Sequence, residues 1–156
     1  MKKLLYFLML LPLMGFVTAC DDDDDVPQVS VTVNYEGAVN VDGILYVVQG
    51  EPFTINSITV TPKEGTPKAT LGPVTYFWDY DVLGTTDVTP FGVTIDTSLE
   101  GLGAHLLQVS STVLQVDKAM ARVEFAYRIN IVESVNDIPG YTPGTPDSGT
   151  DEQAVR

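Results

Sequence analysis

Three aspartates near the middle of the chain are the residues best suited to hold a metal ion. Asp79 and Asp81 are two positions apart, and Asp87 follows after a short stretch rich in Gly and Thr. On one strand, Asp79 and Asp81 would share a face, because strand side chains alternate. A loop returning Asp87 to them would gather the carboxylate oxygens that calcium prefers. No EF-hand spacing is present, and aspartates at strand ends are usually solvated, so the leading expectation is no cofactor, with this calcium site as the alternative.

His105 is the only histidine, and with a single cysteine in the chain no zinc-ligand set can be assembled around it. A Ser-His-Asp arrangement would have to use Ser110 or Ser111 with a distant aspartate. Both serines lie on the strand of His105, adjacent positions point to opposite faces, and no nucleophile-elbow glycines surround either serine. The sequence therefore predicts a structural or surface histidine in a protein that is not an enzyme.

Aromatic side chains offer a different chemistry, because their faces stack on sugar rings while polar neighbours bind the hydroxyls. The chain has seven tyrosines, six phenylalanines and one tryptophan, Trp78. Part of this set must cover Trp78 in a core. Phe77 and Tyr46 are the predicted exposed aromatics and hence the candidate ligand-contact residues.

The amino terminus has the pattern of an exported protein. Lys2 and Lys3 precede an apolar run over residues 4–17, and small residues follow, as in a secretory signal peptide. The run is short for a transmembrane helix. The sole cysteine, Cys20, comes directly after it, so residues 1–19 are interpreted as a cleaved leader.

Val17-Thr18-Ala19-Cys20 resembles a bacterial lipobox. The resemblance implies that Cys20 carries a diacylglycerol thioether and anchors the protein to the outer membrane. Asp21, Asp22, Asp23, Asp24 and Asp25 follow, and this run looks like the export signal of surface-exposed lipoproteins in Bacteroidetes-type bacteria. Residues 20–25 would also act as a self-repelling, solvated tether. The alternatives are an acidic spacer that carries no sorting signal, or retention of the lipoprotein at the inner membrane.

Charge excludes one class of partner. Lys and Arg number 8 against 21 Asp and Glu, a net charge of −13. Such a surface as a whole repels the phosphates of nucleic acids and anionic lipid headgroups, so no nucleic-acid partner is expected.

Residues 26–134 read as strands separated by turns. Val29, Val31, Val33 and Tyr35 alternate with polar residues, and residues 123–131 show the same period of two. We expect a hairpin over Asp42-Gly43 and a bulge near Asn56. Residues 74–81 are expected to form a central strand with Trp78 inward, residues 84–90 a loop, and residues 105–131 a long antiparallel hairpin. Together these elements predict a single all-β domain, an immunoglobulin-like antiparallel sandwich of about seven strands.

Three segments resemble the PKD-type (polycystic-kidney-disease-repeat) subset of that fold. They are Gly50-Glu51-Pro52-Phe53-Thr54-Ile55, Tyr76-Phe77-Trp78-Asp79-Tyr80, and the glycine-led Gly103-Ala104-His105-Leu106-Leu107-Gln108-Val109. The resemblance covers residues 48–134.

Residues 135–156 contain three prolines and no apolar periodicity, so a disordered tail is expected there. The predicted function is a non-catalytic, lipid-anchored envelope protein whose sandwich serves adhesion, scaffolding or glycan contact. The alternatives are an accessory subunit that binds an envelope protein partner through an edge strand and, more distantly, a hydrolase.

Overall fold

The computed structural model describes residues 26–154, and these residues contain eleven β-strands and no α-helix. The strands are β1 (Val29–Glu36), β2 (Val39–Val41), β3 (Ile44–Val48), β4 (Pro52–Pro62), β5 (Ala69–Leu71), β6 (Val74–Trp78), β7 (Asp81–Thr86), β8 (Val93–Asp96), β9 (Gly103–Gln115), β10 (Ala121–Val132) and β11 (Ser148–Ala154). Two short 3₁₀ turns cover Thr97–Leu99 and Val135–Asp137.

The strands form two sheets that face each other as an immunoglobulin-like sandwich. The smaller sheet has the order β11-β1-β4-β8, and the larger has the order β2-β3-β10-β9-β6-β7 with β5 beside β9. The predicted all-β sandwich is confirmed. All pairs are antiparallel except β3 with β10, which run parallel.

The core is formed by the inward residues of both sheets, because alternate side chains of each strand point between the layers. Its largest fully buried members are Tyr76, Phe53, Leu45, Ile55, Leu107, Ile129, Ile131, Val31, Val33, Val47, Val74 and Val109. A smaller cluster on the outer face of β2, β3 and β10 contains Val39, Val132 and Ile138. The first strand, the bulge and both hairpins lie where the sequence predicts them. Asn34 pairs with Ser57 and Tyr35 with Ile55, so Asn56 is the extra residue.

The central strand is shorter than predicted. β6 ends at Trp78, and Asp79 and Tyr80 both have positive φ, 48° and 75°. That backbone shape suits a tight two-residue hairpin turn, and the chain returns as β7. The expectation that residues 84–90 are all loop is therefore wrong for residues 84–86. Trp78 itself points inward, as predicted.

The prediction of a disordered tail over residues 135–156 is wrong for the part that the structure describes. Residues 148–154 form β11, which pairs with β1 from Ser30↔Ala154 to Glu36↔Ser148. Gly149 sits over the Tyr35 ring, where a Cβ atom would collide with the tyrosine. β11 has no large apolar side chain, so sequence periodicity cannot reveal it. The exposed edge of β1 supplies the pairing instead.

Candidate functional site

Phe77, which is predicted to be exposed, lies on the outer face of the larger sheet but is half-buried. It pairs directly with Gln108 of β9, and Ser110 pairs with Glu124 of β10. Directly paired residues of neighbouring strands project from the same face. Phe77 therefore shares a face with polar side chains of β9 and β10.

These residues line a shallow depression of about 470 Å³. Besides Phe77, its outward-facing residues are Tyr80, Gln108, Ser110, Arg122, Glu124 and Ala126. Arg122 Nε donates to Ser110 Oγ at 3.3 Å, and its guanidinium contacts the Glu124 carboxylate at 2.5 Å. One aromatic ring bordered by donors and acceptors is an arrangement that can bind a sugar ring. We call this surface the Phe77 face.

Sequence reasoning did not identify the polar members of the Phe77 face. Arg122 and Glu124 alternate with the apolar residues of β10 in the sequence, and Gln108 and Ser110 alternate with those of β9. This period of two could have predicted that the four polar side chains lie on the outer face of the sheet. Their proximity to Phe77, however, depends on the register between β6 and β9.

The second predicted contact residue, Tyr46, is not part of this face. Tyr46 lies on β3, half-buried against the outer cluster of Val39, Val132 and Ile138. β10 and β9 separate β3 from β6, so these two strands are about 14 Å apart at the usual strand spacing. The two aromatics are also displaced along the strands, since the row of paired residues from Tyr46 reaches β9 at Ala104 and that from Phe77 reaches it at Gln108. Tyr46 lines a separate groove together with Tyr141. The structure does not bring the two predicted aromatics together.

The three aspartates predicted as a calcium site are likewise not assembled. Within residues 26–154 no group of three or more His, Cys, Asp or Glu side chains could hold a metal ion. Asp79 lies in the hairpin turn, where Oδ1 accepts from the Leu106 amide at 2.8 Å. Asp81 opens β7 and Asp87 lies in the next loop, both exposed. The proposed cluster is wrong because the chain turns at Asp79, so Asp79 and Asp81 are not successive positions on one face of a strand.

Asp79 instead pairs with His105. His105 Nδ1 lies 2.7 Å from Asp79 Oδ2, and Nε2 lies 2.8 Å from the Gly101 carbonyl oxygen. Both partners are acceptors, and a neutral imidazole has only one N–H, so the imidazolium fits this site. Burial works to lower the pKa of His105, but the bonds to Gly101 and Asp79 outweigh it and raise the pKa. The ring also stacks on Trp78, with centroids 5.1 Å apart.

The serines needed for a catalytic triad are occupied elsewhere. Ser111 Oγ donates to the Gly72 carbonyl at 3.2 Å, and Ser110 accepts from Arg122. Neither His105 nitrogen faces a serine. The His105–Asp79 pair was missed because its residues are 26 positions apart and meet only through the pairing of Trp78 with Leu107.

The loops around His105 are held by further bonds. Trp78 Nε1 donates to Glu100 Oε2 at 3.0 Å. Thr97, fully buried, donates from Oγ1 to the Glu51 carbonyl at 2.7 Å and accepts from the Gly50 amide at 3.0 Å. We call the loops 49–51, 79–80 and 97–102 the histidine end. The polar groups of these loops are hydrogen-bonded to one another, so we assign the histidine end a structural role.

The predicted lipidation residue, Cys20, and the predicted export run, Asp21 to Asp25, lie outside the described residues. Among residues 26–154, no helix has the length and apolar character required to cross a bilayer.

No known protein family matches the chain, and no curated protein matches it. Among solved structures, it is similar to the fibronectin(III)-like modules of CbhA from Clostridium thermocellum, at 19% identity and a TM-score of 0.41. That similarity covers 67% of this chain and 98% of the other.

Proposed function

We propose that this protein is a lipid-anchored, surface-exposed protein of the outer membrane whose sandwich makes non-catalytic contacts with glycans through the Phe77 face. The lipobox-like Val17-Thr18-Ala19-Cys20 and the following aspartates support the anchor and the outward location. The resemblance of residues 48–134 to PKD-type domains supports a binding role for the sandwich.

The observation that carries the glycan proposal is the composition of the Phe77 face. Phe77 is half-buried, so its position is held by the sheet while part of the ring stays accessible. Gln108, Ser110, Arg122 and Glu124 place both donors and acceptors around it. Sugars present the same combination, an apolar ring face with hydroxyls at its rim.

A non-catalytic role is also the better account of His105. Its two nitrogens are bound to Asp79 and Gly101, and its ring is stacked on Trp78. An acid–base group that acts on substrate needs a nitrogen in reach of the reacting atom. Substrate turnover that is lost on His105→Ala would overturn this proposal in favour of a hydrolase.

A glycan array tests the binding role. We expect saccharide-specific signal from the wild-type chain and about a tenfold loss of affinity for Phe77→Ala, which corresponds to about 1.4 kcal/mol. Leu99→Ala is the matched control, because Leu99 is a large exposed apolar residue that does not line the Phe77 face. Equal losses in both variants, or no glycan signal, would contradict the proposal.

An accessory subunit of an envelope complex is the second candidate function. It is favoured by β7, a six-residue edge strand that exposes Val82 and Leu83. Edge strands with apolar side chains are templates for pairing with another chain. In that case the chain co-purifies with one protein and gives no glycan signal.

Protease shaving of intact cells tests the location. An outward-facing lipoprotein releases its folded body, whereas survival of the body would place the protein on the periplasmic side.

A further inference from the structure

The chain enters the described sandwich at one end, next to two loops. The Lys63 amide donates to the Gln28 carbonyl at 2.9 Å, and the Gln28 amide donates to Gln115 Oε1 at 3.1 Å. Gln28 thereby ties the start of the described chain to the loop after β4 and to the last residue of β9. We call residues 26–28, 62–68 and 116–120 the lysine end.

The lysine end differs in charge from the rest of this acidic protein. Every lysine of the chain other than Lys2 and Lys3 is here, namely Lys63, Lys68 and Lys118. They outnumber the two acidic residues of the same loops, Glu64 and Asp117, within a chain of net charge −13. The three loops of the histidine end contain Glu51, Asp79 and Glu100 and neither lysine nor arginine. The loops at the two ends of the sandwich therefore differ in the sign of their net charge.

Exposed apolar side chains accompany the lysines. Val116 is 63% exposed and Met120 is 75% exposed, and both flank Lys118 in the turn. Lys63 and Lys68 are exposed in the neighbouring loop. Apolar residues beside flexible cationic ones are typical of surfaces that lie at the boundary between headgroups and acyl chains.

The proposed anchor brings this end to a membrane. Cys20 and Val26 are six residues apart, and a fully extended chain of that length spans about 20 Å. Attraction between lysines and headgroup phosphates acts over about 8 Å at physiological ionic strength. The tether thus holds the lysine end where a small displacement brings the lysines into contact with headgroups.

We propose that the lysine end docks onto the bilayer that holds the anchor, with Lys63 and Lys68 on lipid phosphates and with Val116 and Met120 in the interfacial layer. This inference rests on the proposed acylation of Cys20. It gives the protein an orientation, because the histidine end then points away from the membrane and the Phe77 face stands along the side.

The test measures the polarity around two positions in the acylated full chain reconstituted into vesicles. A polarity-sensitive fluorophore is attached to Met120→Cys or, as the matched control, to Leu99→Cys at the histidine end, which is 92% exposed. The Cys20 sulfur is consumed by the thioether, so each chain has one reactive thiol. Vesicles contain phosphatidylglycerol with phosphatidylethanolamine, or phosphatidylcholine alone.

We expect the probe at residue 120 to shift to shorter wavelength in phosphatidylglycerol vesicles and to be quenched by brominated acyl chains. Lys63→Gln with Lys68→Gln should abolish the shift without changing the melting temperature, since both residues are exposed. The probe at residue 99 should keep the emission wavelength of an aqueous environment in both kinds of vesicle.

Three outcomes would overturn the docking. If the protein floats with the vesicles but the probe at residue 120 remains in water in every vesicle, the docking is rejected and the anchor is retained. A shift of equal size in phosphatidylcholine vesicles, which carry no net charge, rejects the part of the docking in which the lysines are attracted to anionic headgroups. A chain that does not float with vesicles rejects the anchor and the docking together.

Discussion

The two ends of the sandwich are constructed alike and differ in chemistry. At the lysine end, the amide of Gln115 joins three segments: its oxygen accepts from Gln28, and its nitrogen donates to Thr66 Oγ1 at 3.1 Å and to the Pro67 carbonyl at 2.7 Å. At the histidine end, the ring of His105 joins the hairpin turn to the 97–102 loop. In each case one side chain near the end of β9 fixes loops distant in sequence.

The difference between these two side chains indicates which end of the sandwich has a pH-dependent stability. A glutamine amide keeps its donors and acceptor at every physiological pH, whereas the histidine ring needs a second proton to donate on both sides. The lysine end is therefore held independently of pH, and the histidine end is held most firmly when His105 is protonated.

The largest loss of stability is expected from removing the indole ring of Trp78, which stacks on His105. Trp78→Ala should lower the free energy of unfolding by about 3–5 kcal/mol, because Trp78 is buried at the end of the core and its loss leaves a cavity. Met120→Ala at the lysine end should change the free energy of unfolding by less than about 0.5 kcal/mol, as an exposed residue does. Urea unfolding measures both. Similar losses in the two variants would contradict the assignment of Trp78 to the core.

A smaller loss is expected at the lysine end from Gln115→Ala. The variant leaves the Gln28 amide and the Pro67 carbonyl without this partner, at a cost of about 1–3 kcal/mol. The loss should be equal at acidic and alkaline pH. Gln108→Ala on the Phe77 face is the control and should have little effect on urea unfolding. A loss that varies with pH would mean that another, titratable group holds this end.

The smallest effect is the pH dependence of the histidine end. The folded-state pKa of His105 is raised above the ordinary value of 6.5, so the folded protein binds this proton more tightly than the unfolded chain does. The stabilisation is complete below pH 6.5 and disappears as the pH rises through the raised pKa. Asp79 and Glu100 are the acidic groups that raise it.

Thermal unfolding of wild type and His105→Gln over a pH series checks this sign. The difference in melting temperature between the two should be greatest at acidic pH and should shrink toward alkaline pH. A difference that grows with pH would show that the neutral ring is the form that the fold prefers. The Gln115→Ala variant, measured in parallel, should keep a constant difference from wild type.

Much of the fold could be predicted because the information is local. The alternation in β1 and β10, the Asp42-Gly43 turn and the bulge at Asn56 follow from side-chain periodicity and from residues that tolerate positive φ. β11 could not be predicted in this way, since it buries no large apolar residue and exists through its hydrogen bonds to β1. The end of β6 was missed because Asp79 and Tyr80 continue an apparent strand pattern through a turn.

The sequence by itself determined that the described part of this chain is a two-layered β protein with Trp78 inside and Phe77 outside, since alternation assigns each residue of a strand to a face. Only the tertiary structure decided which faces meet. The pairing of Trp78 with Leu107 places His105 against Asp79, and the pairing of Phe77 with Gln108 assembles the Phe77 face. The physical reason is that register between distant strands is set by the packing of the whole core, which no local pattern encodes.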